Sequence, residues 1–171
     1  MNMRGFIREH ILLRYLTAHS IKTYPTTITG LERSDKCDLV LKNLNNNYVR
    51  FQIKGLTWGG TVLDKINTKI DCESQLSRGR VNDHPTQSRL YKVTDFENLI
   101  IVIDPPYSNT LSLHTFKRYD YQWNFYSIPM SKLRKHHVYS NRVASHQHKL
   151  YKELQKYRID LPWMKQWTTE L

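Results

Sequence analysis

The sequence predicts an α/β or α+β fold, a mixed β-sheet flanked by helices, on three observations. An amphipathic segment opens the chain, two short runs then read as a hairpin, and the run from Asn98 to Asp104 is apolar on both faces before stopping at Pro105-Pro106. A run of that kind belongs in a sheet covered on both sides.

Residues 3 to about 19 read as a helix, with Phe6, Leu12, Leu13 and Leu16 on one face and Arg4, Arg8 and His19 left to point elsewhere. Glu9 falls among the apolar set, three residues after Phe6 and three, four and seven before Leu12, Leu13 and Leu16. A carboxylate on the core side is costly unless its charge is met, either by a structural ion pair to Arg14 or Lys54 or by a functional site.

CDLVL then reads as a strand, NLNNN as a turn and YVRFQIK as a second strand with strict alternation. From about 61 to 92 the chain is polar, and its SRGRVNDHPTQSR portion has no period, which predicts a long loop. NLIIVID, residues 98 to 104, is the expected sheet centre; LSLHTF and WNFYSI read as further strands, with Pro129 ending the latter. SKLRKH begins a helical or turn segment, and a final helix is expected over 143 to 157.

A chain of 171 residues fits one domain, residues 1 to 171, and 39% hydrophobic with 12% aromatic residues is enough to build its core. The 26 Lys and Arg against 15 Asp and Glu leave a formal charge of +11, which favours a polyanionic partner, nucleic acid first, with a solvated basic surface as the alternative. The opening MNMRGFIREHILLRYL is broken by charges and is not expected to direct export, and no apolar window is long enough to span a bilayer. Two cysteines, Cys37 and Cys72, lie outside any CxxC spacing, so neither a disulfide framework nor a zinc knuckle is expected. A reducing, cytoplasmic and nucleoid-associated setting fits these features.

The chemistry concentrates on the hairpin. Pairing its strands symmetrically about Asn45 sets Asp38 opposite Gln52, and alternation puts Lys54 on the same face while Val49, Phe51 and Ile53 turn to the other. Phosphodiester hydrolysis needs a divalent cation held by hard oxygens, an activated water and positive charge near the phosphate. Asp38 would bind the cation, Gln52 would add a neutral oxygen, and Lys54 would orient or deprotonate the water and stabilise developing charge. Glu9, delivered by the opening helix, would be an additional carboxylate. The same trio on an exposed hairpin face is also an ordinary surface pattern, so order and context carry the reading.

These residues resemble the PD-(D/E)XK nuclease superfamily, in which an Asp at a strand start is followed by a hairpin and then by an acidic residue or Gln two before a Lys. Here these are Asp38, Gln52 and Lys54, within CDLVL and RFQIKG, with Glu9 similar to the helical Glu often found upstream. Residues 36 and 37 are Lys and Cys, so the nominal Pro is absent, and Gln52 stands where the acid is usual. The QxK form is similar to that of small intron-encoded homing endonucleases, and also of some Holliday-junction resolvases, restriction enzymes and transposon end-cleaving enzymes. The resemblance implies a restriction-endonuclease-like fold, Mg²⁺ with Mn²⁺ as a substitute, ligands from Asp38, Gln52, Glu9 and the Ile53 backbone carbonyl, and cleavage of double-stranded DNA to 5′-phosphate and 3′-hydroxyl ends. A non-catalytic binding protein with the same fold, a junction-selective nuclease and an RNA substrate remain open alternatives.

Two segments have side chains suited to DNA. Arg78, Arg80, Asn82, Gln87 and Arg89 in the polar middle are of the types that read base edges, and Lys132, Arg134 and Lys135 in SKLRKHH would track phosphates. A solvent loop and a solvated basic face have the same compositions. A domain this small has limited surface for cutting two strands, so a homodimer or higher homo-oligomer is expected.

Overall fold

The computed structural model describes residues 3–29, 37–57, 69–104 and 123–170. Its elements are α1 (Met3–Ala18), β1 (Thr23–Tyr24), β2 (Leu39–Lys42), β3 (Tyr48–Thr57), β4 (Lys69–Glu73), β5 (Asn98–Asp104), β6 (Asn124–Pro129), β7 (His146–Leu150), α2 (Tyr151–Leu154) and α3 (Leu161–Met164). They form a mixed five-stranded sheet in the order β1-β2-β3-β5-β6 and a two-stranded sheet of β4 and β7, with a few short helices, so the mixed α/β class is observed.

The β2–β3 turn is fixed by its asparagines. Asn43 Oδ1 accepts from the backbone N–H groups of Asn45 and Asn47 at 3.0 Å each, and Asn46 takes a left-handed conformation, φ 64°, which asparagine tolerates better than most residues. Leu39 therefore pairs with Phe51 and Leu41 with Val49, the register symmetric about Asn45. Beyond Phe51 the two strands of the hairpin behave differently. β2 has ended, whereas β3 runs on to Thr57 and pairs in parallel with β5 from Phe51↔Asn98 to Thr57↔Asp104. One edge of β3 is thereby left open from Gln52 onward, and the candidate site forms there.

Alternation divides the core into two layers. Leu12 and Leu16 of α1 pack with Leu39, Leu41, Phe51, Ile53, Ile100, Val102 and Phe125 on one face of the sheet, where Trp163 and Trp167 also meet Phe51 edge-on at 6.1 and 5.4 Å between ring centroids. On the other face, Leu99, Ile101, Ile103, Tyr126 and Ile128 pack against Ile70 and Cys72 of β4, Tyr91, Phe96, Val143 and Leu154. Residues 99 to 103 are all buried, as expected of an apolar run. β5 is interior, but the sheet centre is β3, because the β1–β2 extension lies on its far side.

One further expectation is corrected, and one falls outside the described residues. The span 143 to 157 is not one helix. Its HQHKL portion buries Gln147 between half-buried His146 and exposed His148 and forms β7, antiparallel to β4, with one short α-turn and a 3₁₀ turn following. The polar middle contains β4, whose K-I-D-C-E pattern buries Ile70 and Cys72 in turn. SKLRKH is a 3₁₀ turn, Met130–Lys132, followed by extended chain bridged to Val143. LSLHTF lies outside the described residues. Cys37 and Cys72 are free and buried, and burial raises their thiols to about 11 and about 12. Among the described residues no helix is long and apolar enough to cross a membrane.

Candidate active site

The hairpin register brings Asp38 and Gln52 together on the sheet face opposite Phe51 and Ile53. Gln52 Nε2 donates to Asp38 Oδ2 at 2.5 Å, and the Ile53 N–H donates to the same oxygen at 2.9 Å. The Asp38 carboxylate thus takes over the edge of β3 that β2 has vacated. In a strand the N–H and C=O of one residue face the same edge, so the Ile53 carbonyl points toward this open side as well. Gln52 is buried, and its Oε1 has no hydrogen-bond partner among the described residues.

Lys54, two residues on, returns to the same face. Its Nζ donates to the Gln75 carbonyl at 2.8 Å and lies 5.5 Å from the centroid of the buried Tyr91 ring. These contacts hold the ammonium in place and leave it further protons to donate.

The trio borders an open cleft of about 630 Å³ that Glu9 also lines, together with Arg8, Gly55, Glu73, Ser77 and Tyr91. Glu9 reaches it because α1 crosses the continuation of β3. Phe6, expected on the apolar face, is instead 60% exposed and stands at the mouth. The four residues singled out by sequence, Glu9, Asp38, Gln52 and Lys54, therefore share one cavity, and Ile53 contributes its backbone there.

The cleft opposes ionisation of its own groups. Burial pushes the Asp38 carboxyl up, against the lowering pull of the Ile53 N–H, Lys54 and Gln52. Burial also raises Glu9, helped by the negative charge of Asp38. Lys54 is pushed down by burial, against the pull of Asp38 and other nearby anions. Two carboxyls raised and an amine lowered within one cleft mark it as a candidate functional site.

Among the described residues, no group of three or more His, Cys, Asp or Glu side chains is placed to hold a metal ion. The donor set here is of another kind. It consists of two carboxylates, Asp38 and Glu9, one side-chain amide oxygen and one backbone carbonyl, all hard oxygens of the sort Mg²⁺ takes alongside its waters. The orphaned Gln52 Oε1 is the observation that fits a cation. A half-turn of the amide exchanges it with Nε2 beside Asp38, replacing a donor that satisfies the carboxylate with an acceptor that only a cation or a proton would reconcile with it.

Sequence reasoning missed several parts of the cleft. Arg8 was left to point elsewhere, yet it lies against Gly55, so closely that any Cβ there would collide with its side chain. Only a glycine two positions before the end of the β3 hydrophobic pattern hinted at a close approach. Gln75 acts through a backbone carbonyl, which no side-chain pattern signals. Glu73 was recoverable from the alternation in KIDCE; it accepts from Gln75 Nε2 at 2.9 Å and pairs with Arg89 at 3.6 Å.

The expected DNA contacts divide. Arg78 and Asn82 are exposed, and neither side chain has a hydrogen-bond partner among the described residues. Lys132 is exposed, and Arg134 is exposed with its guanidinium on the His146 carbonyl at 3.0 Å. Arg89 is held by the Leu76 carbonyl and Glu73, and Gln87 is half-buried. Two residues are not available as expected. Arg80 is buried on Asp95 and Asp83 because it braces its own loop, and Lys135 turns inward onto the carbonyls of Met130 and Leu133, where burial lowers its ammonium.

No protein-family model, no curated protein and no solved structure matches this chain.

Proposed function

We propose that this protein is a restriction-endonuclease-like, metal-dependent nuclease of the PD-(D/E)XK kind that hydrolyses phosphodiester bonds of double-stranded DNA. The observation that carries the reading is the convergence of Asp38, Gln52, Lys54 and Glu9 on one cleft at the open edge of β3. The strongly basic composition supports a polyanionic substrate.

Asp38, Glu9, the Gln52 amide oxygen and the Ile53 carbonyl would hold Mg²⁺, or Mn²⁺ in its place. Bound there, a divalent cation supplies Lewis acidity toward the phosphate and its attacking water. The chain's own residues do the rest. Lys54, fixed by Gln75 and lowered by burial, orients the water and moves its proton. Arg8, lying over Gly55 at the cleft wall, adds positive charge where the phosphorane develops negative charge. Attack of water on phosphorus with cleavage of the P–O3′ bond, the departing 3′-oxygen taking up a proton, would leave a 5′-phosphate and a 3′-hydroxyl. A homodimer would bring two such clefts to the two strands.

One observation favours a second reading. The Gln52–Asp38 hydrogen bond satisfies the carboxylate internally, as in a DNA-binding protein that kept the fold and gave up the metal. A panel of plasmid, linear duplex and four-way junction DNA, incubated with Mg²⁺ and native protein, Asp38→Asn or Lys54→Ala, separates the readings. Cleavage by the native protein alone supports the nuclease, and the best substrate distinguishes a site-specific enzyme from a junction resolvase. Salt-sensitive binding with no metal-stimulated cleavage supports the binding module.

A further inference from the structure

The segment Arg80–Val81–Asn82–Asp83 places two exposed residues between two buried charges. Arg80 and Asp83 both turn inward. Arg80 grips Asp95 and reaches Asp83 at 3.5 Å, while Arg142 holds Asp83 with both terminal nitrogens, at 2.7 and 2.9 Å, and the Leu90 carbonyl at 3.1 Å. The side chains of Arg80 and Arg142 are only 2% and 5% exposed. Backbone bonds from Leu76 N to Arg89 O, 2.8 Å, and from Arg80 N to Ser88 O, 3.0 Å, tie the two legs into a ribbon. Gly79 lets the legs approach, since a Cβ there would stand 2.8 Å from Ser88 Oγ.

Inward rotation of Arg80 and Asp83 forces Val81 and Asn82 outward. Val81 is 97% exposed, the most exposed of the large apolar side chains among the described residues, on a tip braced by two ion-paired arginines. A braced loop that turns two side chains outward has the form of a contact element, since loops held on a rigid scaffold carry binding residues. The ribbon also grows from the cleft, because Gln75, Leu76 and Ser77 at its base line the cleft wall.

We infer that this ribbon is the sequence-reading element of the protein, entering the major groove of duplex DNA so that Val81 packs on a thymine methyl and Asn82 bonds the adenine edge of an adjacent A·T pair. The inference rests on the proposed action on duplex DNA. A major groove about 12 Å wide admits a two-stranded ribbon, and there each base pair presents a distinct pattern. Asparagine offers the paired donor and acceptor that match adenine N7 and N6, and a small apolar side chain is what a thymine methyl accepts. Arg80, a base reader by sequence pattern, is here the brace that points the readers outward.

The test is selection from a randomised duplex pool by full-length Asp38→Asn protein, alone and with Val81→Ser or Asn82→Ala added. The expected result is an enriched motif in which each added change relaxes one A·T position by about 5- to 100-fold, leaving the other positions intact. An enriched motif unaltered by either change overturns the ribbon assignment and leaves the duplex reading standing. An equal loss of affinity for every sequence marks a backbone contact and also overturns base reading. No retention of duplex by any of the proteins overturns the duplex reading, and the ribbon's role falls with it.

Discussion

Gln52 and Asp38 face each other across the β2–β3 hairpin with 2.5 Å between amide nitrogen and carboxylate oxygen, and the other amide atom, Oε1, is buried with no partner among the described residues. The pair is half-satisfied. The nitrogen neutralises part of the carboxylate, while the oxygen is desolvated without return. A divalent cation shared by Asp38 and a turned Gln52 amide would relieve both.

Replacing Gln52 with Glu should strengthen divalent-ion binding, because a second anionic oxygen joins Asp38 in the same register position. An increase in Mg²⁺ or Mn²⁺ affinity on the order of tenfold is expected by calorimetry. Without metal the variant should be less stable, since two carboxylates would face each other in a buried site.

The raised carboxyls of the cleft make a statement about stability. A group whose folded-state pKa lies above its unfolded value binds more protons when folded, so ionising Asp38 and Glu9 reduces stability as pH rises through their titration. Lys54 is lowered, so its charge destabilises the fold until pH rises through its depressed pKa. At neutral pH all three penalties are present. Asp38→Asn, which keeps an oxygen for the Ile53 N–H and offers an amide to the orphaned Gln52 Oε1, should therefore raise the melting temperature at pH 7 and remove much of its decline between mildly acidic and neutral pH. Thermal denaturation across that range reads both effects.

The hairpin was legible because strand alternation and a symmetric turn leave one register that buries Phe51 and Ile53, and that register dictates which polar residues meet. β5 was legible for a similar reason, as an unbroken apolar run has few other places to go. The segment 143 to 157 was misread because its helical spacing is set by Leu150 and Leu154, whereas the decisive contacts are non-local. Gln147 is buried on the backbone of Arg134 and Ala144, and Asp71 of β4 accepts from His146 at 2.9 Å. Arg80 was misassigned because an arginine in a polar loop looks the same in sequence whether it faces solvent or Asp95.

The brace of the ribbon should be a main support of the 74–97 region. Arg142 holds Asp83 well below the usual carboxylate range, so this contribution is present above the unfolded Asp pKa and is lost as pH falls through the native one. Arg142→Ala leaves the enclosed Asp83 with one cationic partner fewer and should cost about 3 kcal/mol in denaturant unfolding. Val81→Ser, on the exposed tip, should change stability by less than about 0.5 kcal/mol.

Gly55 is required by the approach of Arg8, not by its own backbone angle. Gly55→Ala should push the Arg8 guanidinium out of the cleft, and Arg8→Ala should mimic it. Each is expected to lower the cleavage rate about a hundredfold, the scale seen when one charge-stabilising donor is lost. Duplex affinity at fixed salt should change little for either variant, because one basic side chain is a small part of the total charge.

The most direct test of the cleft as a hydrolytic centre is to measure Mg²⁺-dependent DNA cleavage and DNA binding in the same samples of native and Asp38→Asn protein. The expected result is loss of cleavage by roughly a thousandfold or more with binding retained, because Asp38 serves the chemistry while the basic surface supplies the affinity. Cleavage by Asp38→Asn at the native rate would contradict the assignment of this cleft as the active site.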